Sequence, residues 1–88
     1  MKSKDHERLY TVLEGIENEI DDALGTWGDF QSLHEGYAVL LEELDELWIE
    51  IKKKVADRDY DNLYIEAVQV SAMAAMLAMT ILEQKGES

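Results

Sequence analysis

The sequence holds no cysteine and no proline. Without cysteine no disulfide can staple the fold, and no thiolate is available to bind a metal. Without proline, a chain rich in Leu, Glu, Ala and Met favours long uninterrupted helices over strands. The five glycines stand singly, at Gly15, Gly25, Gly28, Gly36 and Gly86. Positive charge is also scarce, with 8 Lys and Arg against 20 Asp and Glu, a formal charge of −12. A general basic surface for nucleic acid is thereby excluded, because duplex phosphates would be repelled. The balance fits a cytoplasmic protein, and it fits clusters of acids that need cations. At 88 residues the length predicts one domain spanning 1–88, near the small end of what folds alone.

The start, "MKSKDHERLY", is basic but has no apolar run behind it, so no signal peptide is expected. A longer apolar stretch, "LYIEAVQVSAMAAMLAMTIL" at 63–82, carries Glu66 and Gln69 in its first third. Only Val70–Met79 is free of anything more polar than Ser71, which is too short to cross a bilayer. The expectation is a buried helix and no membrane partner.

Three helices are predicted. In the first, from about Asp5 to Leu24, Leu9, Val12, Leu13, Ile16, Ile20, Ala23 and Leu24 recur at helical steps. Glu14, Glu17, Asp21 and Asp22 take the other side, and "GTWG" at 25–28 stops it. The second opens on Ser32 and Glu35, which read as a capping box. Leu33, Tyr37, Leu40, Leu44, Trp48, Ile51 and Val55 form its expected core stripe, and Lys52, Lys53 and Lys54 fall in its last turns. Asp59 or Asp61 is the next expected N-cap. The third helix, about Tyr60 to Gln84, is apolar nearly all round after Leu63, so it must be buried on most sides. Two amphipathic partners from one chain can hardly cover it. Ser71, Ala72, Ala74, Ala75 and Ala78 allow close helix approach. The fold class expected is therefore all-α, a bundle of three main helices per chain completed by homo-oligomerisation.

The carboxylates of "LLEELDELWIEIKKK" at 40–54 are not spread evenly. At 100° per residue Glu43, Glu46 and Glu50 lie within roughly one-sixth of a turn, bordering the apolar stripe. Glu42 and Asp45 turn further toward solvent. On the third helix Glu66 and Gln69 share a face. Facing helices would gather Glu43, Glu46 and Glu66 at the edge of a core, where burial and like charge oppose ionisation and a hard divalent cation relieves both. The same residues also suit a plainer arrangement. An acidic run is common on an exposed helix, Glu66 can sit near a helix start, and Gln69 can be a satisfied core-edge amide.

"SLHEGYAVLLEELDELW" followed by "EAVQVSAMAAM" resembles MazG-like proteins of the all-α nucleoside-triphosphate pyrophosphohydrolase superfamily, particularly the small phage-type members. That family carries E-E-x-x-E on one helix and E-x-x-D on the next, matched here by Glu42, Glu43 and Glu46, then Glu66 and Gln69. The resemblance covers about residues 32–79. It implies a homodimer or homotetramer that binds Mg2+, with Mn2+ as an alternative, and hydrolyses a nucleoside triphosphate to monophosphate and pyrophosphate. Glu43, Glu46 and Glu66 would be metal ligands, and Glu46 or Glu42 would position the attacking water. Gln69 departs from the family's aspartate and is a poorer ligand for a hard cation. Glu50, one turn beyond Glu46, is the candidate to supply the missing charge.

Trp27, in its glycine-flanked loop, is the best candidate to stack a base, while Trp48 and Tyr37 fall on the core stripe. Lys53 and Arg58 are candidate phosphate contacts. His34 and His6 suggest no metal site, and Met73, Met76 and Met79 read as core filler. The alternative function is a degenerate, non-catalytic acidic oligomer that binds nucleotide or protein through the same surface.

Overall fold

In the computed structural model the described residues, 1–86, form three long helices with no strand among them. These are α1 (Ser3–Thr26), α2 (Leu33–Ile51) and α3 (Tyr60–Gln84), with a short 3-10 turn at Val55–Asp57 before α3. The predicted elements are all present, and α1 extends two residues beyond expectation at each end.

Local chemistry sets the ends. The backbone N–H of Glu35 donates to Ser32 Oγ at 3.0 Å, and the Glu35 carboxylate accepts from the N–H of Gln31, also at 3.0 Å. The capping pair is as read, except that the glutamate reaches one residue further back. Asp59, not Asp61, caps α3, accepting from the N–H of Asn62 at 3.1 Å. Gly28 and Gly86, at φ of 81° and 85°, follow α1 and α3 where the chain turns into the left-handed region.

α3 is the spine. α2 packs along it most extensively and α1 packs on it separately, while α1 and α2 make no comparable contact with each other. α3 approaches tightly at Gly36, the buried residue of α2, where a methyl would meet Leu77 Cδ1 at 2.7 Å and Phe30 Cδ2 at 2.9 Å. A slab results, 46 × 32 × 22 Å, with a radius of gyration of 14.6 Å. A compact chain of this length has about 12 Å.

Four expectations need correcting. The side of α2 turned toward α3 carries Gly36, Leu40, Glu43, Leu47 and Glu50, all buried or half-buried. Of the expected core stripe Leu40 faces α3, but the rest is rotated away, with Tyr37 at 61 %, Leu44 at 48 % and Trp48 at 57 % exposed, and Leu33 and Ile51 also open. Periodicity identifies an apolar face but not what covers it. Val55 lies beyond the helix at 68 % exposed. The lysine run is not in the last turns either. α2 ends at Ile51, Lys52 is its C-cap, and Lys53 and Lys54 follow.

α3 is not buried on most sides within one chain. Only Val68, Ala72 and Met76 are buried, and Tyr64, Ile65, Met79, Ile81 and Leu82 are exposed. By length and composition α3 is the one described helix able to cross a bilayer, with mean hydropathy 1.7 over its most apolar window. Glu66 stands in this helix, beside acids of α2.

Candidate metal centre

Two helices build the acidic site. Glu43 and Glu46 are one turn apart on α2, and Glu66 projects from the second turn of α3, which runs alongside. One carboxylate oxygen from each of the three lies within 4.8 Å of the others. Glu43 and Glu66 are half-buried and Glu46 is exposed, so the cluster opens to solvent on one side. The expectation that facing helices gather these three acids is what the structure shows.

The electrostatics of the cluster are unfavourable without a counter-charge. Burial pushes the Glu43 carboxyl above the ordinary glutamate range, and the charges of Glu46, Glu66, Glu19 and Glu42 add to it. Glu66 is raised first by burial, then by Glu46 and Glu50, with a hydrogen bond to the Glu46 carboxyl favouring the protonated form. Glu43 Oε2 and Glu66 Oε2 are both shielded from solvent with no hydrogen-bond partner. Buried acceptors are ordinarily satisfied, so two orphans in one cluster indicate a missing donor or cation. Three all-oxygen donors with unused lone pairs suit a hard divalent ion such as Mg2+ or Mn2+. The donor set fits that group.

The remaining candidates fall around this centre or away from it. Glu50 faces Glu66 closely enough to raise its pKa, yet its Oε2 lies 3.0 Å from Lys53 Nζ. Lys53 therefore engages Glu50. Arg58 Nη2 donates to the Ile51 carbonyl at 2.7 Å and closes the end of α2. Glu42 is on the solvent side of Glu43.

Gln69 stands on α3 three positions beyond Glu66. It lines a groove of about 600 Å3 that runs between α1 and α2 over α3. Glu43 stands in the wall of this groove, Met73 and Met76 also line it, and Trp27 is at its rim, 85 % exposed. The loop that stops α1 thus brings an open indole beside a cavity that borders the carboxylates.

Glu19 and Phe30 are among the groove residues not singled out in the sequence. Glu19 of α1 lines the groove and its charge acts on Glu43. It sits between Ile16 and Ile20, at the border of an apolar stripe, which is the same signal that marks Glu43. Phe30 gives no comparable signal, since it lies in the connection between helices.

Fold and site together define an all-α protein with a three-carboxylate cluster on adjacent helices, open to a groove. Comparison with protein-family models, with curated proteins and with solved structures gave no match.

Proposed function

We propose that the chain is a homo-oligomeric, Mg2+-dependent nucleoside-triphosphate pyrophosphohydrolase of the MazG-like type, acting in the cytoplasm on a (deoxy)nucleoside triphosphate. The observation that carries this reading is the Glu43–Glu46–Glu66 cluster, with two shielded carboxylate oxygens unpartnered, at the edge of a groove. Its −12 charge is not simply spread over the surface, since three of those carboxylates converge where ionisation is opposed.

Each residue has a part in the reaction. Glu43, Glu46 and Glu66 would hold the cation. Bound there, Mg2+ would neutralise phosphate charge and lower the pKa of a coordinated water. Glu46, the exposed member, accepts the proton of the water that adds to the α-phosphorus as the bond to pyrophosphate breaks. Glu42 is the second candidate for that proton. Trp27 supplies a face for the base, and the Gln69 amide, which lines the same groove as Glu43, is a fourth and poorer candidate ligand. Lys53 and Arg58 reach phosphate only by leaving Glu50 and the Ile51 carbonyl.

A second reading is a non-catalytic relative that binds nucleotide or protein, favoured by one feature, the neutral Gln69 where the family has an acid. Pyrophosphate release from a panel of nucleoside triphosphates, with Mg2+ or Mn2+ and an EDTA control, decides between them. Release that falls to the EDTA baseline in Glu43→Gln protein is the expected result. No release from any substrate by folded protein would leave the binding module.

A further inference from the structure

The groove beside the three acids has two acidic walls. On α1, Glu19, Asp22 and Thr26 line it at successive helical steps, and on α2 Glu35, Val39 and Glu43 do the same. Asp29 adds a carboxylate from the connection between the two helices. Among the described residues no Lys, Arg or His lines it. Three of these acids have no partner in the fold. Glu35 accepts the Gln31 N–H and Glu43 belongs to the three-carboxylate cluster. Among the described residues Glu19, Asp22 and Asp29 have neither a hydrogen bond nor an ion pair. Asp29 does not cap α2, since Ser32 does.

The remaining surface of the groove rewards a flat ring. Met76 is buried beneath it, Met73 and Phe30 are half-buried in its lining, and Trp27 holds an open indole at the rim. Its volume of about 600 Å3 accommodates a nucleoside. An ionised carboxylate only accepts hydrogen bonds, and the face of an indole attracts positive charge. A ring edged with carbonyl oxygens would therefore meet repulsion from both walls. A positively charged ring meets acceptors at its edge and a π face alongside.

We infer that the groove selects a positively charged heteroaromatic ring, stacked on Trp27 and flanked by Asp22 and Asp29. The ligand class is a nucleoside whose base is alkylated on a ring nitrogen and carries a positive charge at neutral pH. The substrate of the proposed function is then the triphosphate of such a nucleoside, its base in the groove and its phosphates beside Glu43, Glu46 and Glu66. That last step rests on the proposed function. Recognition of the ring does not, because it needs neither metal nor phosphate. Glu19 lies close enough for its charge to act on Glu43, and the eight residues from Glu19 to Trp27 rise about 12 Å along α1. Ring and metal would occupy different ends of one groove.

Equilibrium dialysis at pH 7 and fixed ionic strength tests the ring with nucleosides that lack phosphate. 1-Methyladenosine is the cation, N6-methyladenosine is its neutral isomer, and adenosine is the parent. The cation is expected to bind about 10-fold more tightly than either, the size of one cation–π contact with its charge partners. Trp27→Leu, and Asp22→Asn together with Asp29→Asn, should each remove most of that preference. All three side chains are exposed, so these changes leave the fold intact. Equal binding of cation and neutral isomer overturns the inference, as does no binding of any nucleoside at millimolar concentration. A preference unchanged in both variants also overturns it. Choline binding as tightly as 1-methyladenosine would show that charge alone is read, and would reject the ring. Pyrophosphate release from the triphosphates of 1-methyladenosine and adenosine, with Mg2+, separates this inference from the proposed function. A higher kcat/KM for the methylated triphosphate is expected. Preference in dialysis with no release from either triphosphate keeps the groove and rejects the hydrolase. Release at equal kcat/KM from both keeps the hydrolase and rejects the substrate class.

Discussion

At the scale of single residues, two glycines in helices do opposite things. Gly15 sits inside α1, and a methyl there would meet Val68 at ordinary contact distance, 3.6 Å. Glycine costs a helix interior about 1 kcal/mol relative to alanine, so Gly15→Ala should stabilise by about that amount. Gly36 is held by closeness instead, with Leu77 and Phe30 already where a Cβ would go. Gly36→Val should destabilise by about 2 kcal/mol, since overpacking forces neighbours off their rotamers. Urea midpoints of the two variants check the signs, and a neutral Gly36→Val would show that α2 and α3 can part without cost. The sequence shows both glycines inside apolar patterns but not how tightly each is packed, because at Gly36 that depends on Leu77 of α3 and on Phe30, whose position in a connection has no period. Glu43, Glu46 and Glu66 were legible for the contrary reason. They border apolar stripes, and a carboxylate at a border must meet whatever packs there.

At the scale of helices, ends were more legible than faces. A cap depends on residues within one turn, so Ser32 was readable directly, whereas Asp59 and Asp61 competed for one role. The structure gives it to Asp59, whose side chain takes the Asn62 N–H, while Asp61 lies in the first turn. Asp59→Ala should therefore cost about 1 kcal/mol, and Asp61→Ala only the dipole contribution of about 0.3 kcal/mol. Thermal melts of the pair compare them directly, and equal losses would reject Asp59 as the cap. Faces resist reading because helical and coiled-coil repeats differ by so little. Leu40 and Leu47 lean to α3, Leu44 and Trp48 turn outward, and all four fit one stripe when only spacing is known. The oily surface of α3 was legible, but how much of it the chain covers was not, since the sequence cannot say which apolar face meets another helix of its own chain and which stays exposed.

At the scale of the whole molecule, the proposed site would set protons against a cation. Glu43 and Glu66 have raised pKa values in the fold, so the folded protein holds protons that the unfolded chain has already released. Their contribution to stability is therefore full below the ordinary glutamate value of 4.5 and is lost as pH rises through the raised values. Metal-free protein should melt at progressively lower temperature as pH is raised from 5 toward neutrality. Mg2+ bound as proposed would compete for the same oxygens and should cancel that decline. At ten times its dissociation constant it stabilises by about 1.4 kcal/mol, or roughly 5–10 °C for a domain of this size. Replacing both acids, Glu43→Gln with Glu66→Gln, should flatten the metal-free pH dependence and remove the response to Mg2+ together. Net charge offers a competing cause, since any salt screens a protein at −12. Scanning calorimetry at matched ionic strength, with Na+ in place of Mg2+, separates the two. A Mg2+ gain that survives in the double variant, or that Na+ reproduces, would reduce the cluster to a patch of screened surface charge. A gain confined to Mg2+ and to the intact acids would tie the −12 charge to a site in the fold.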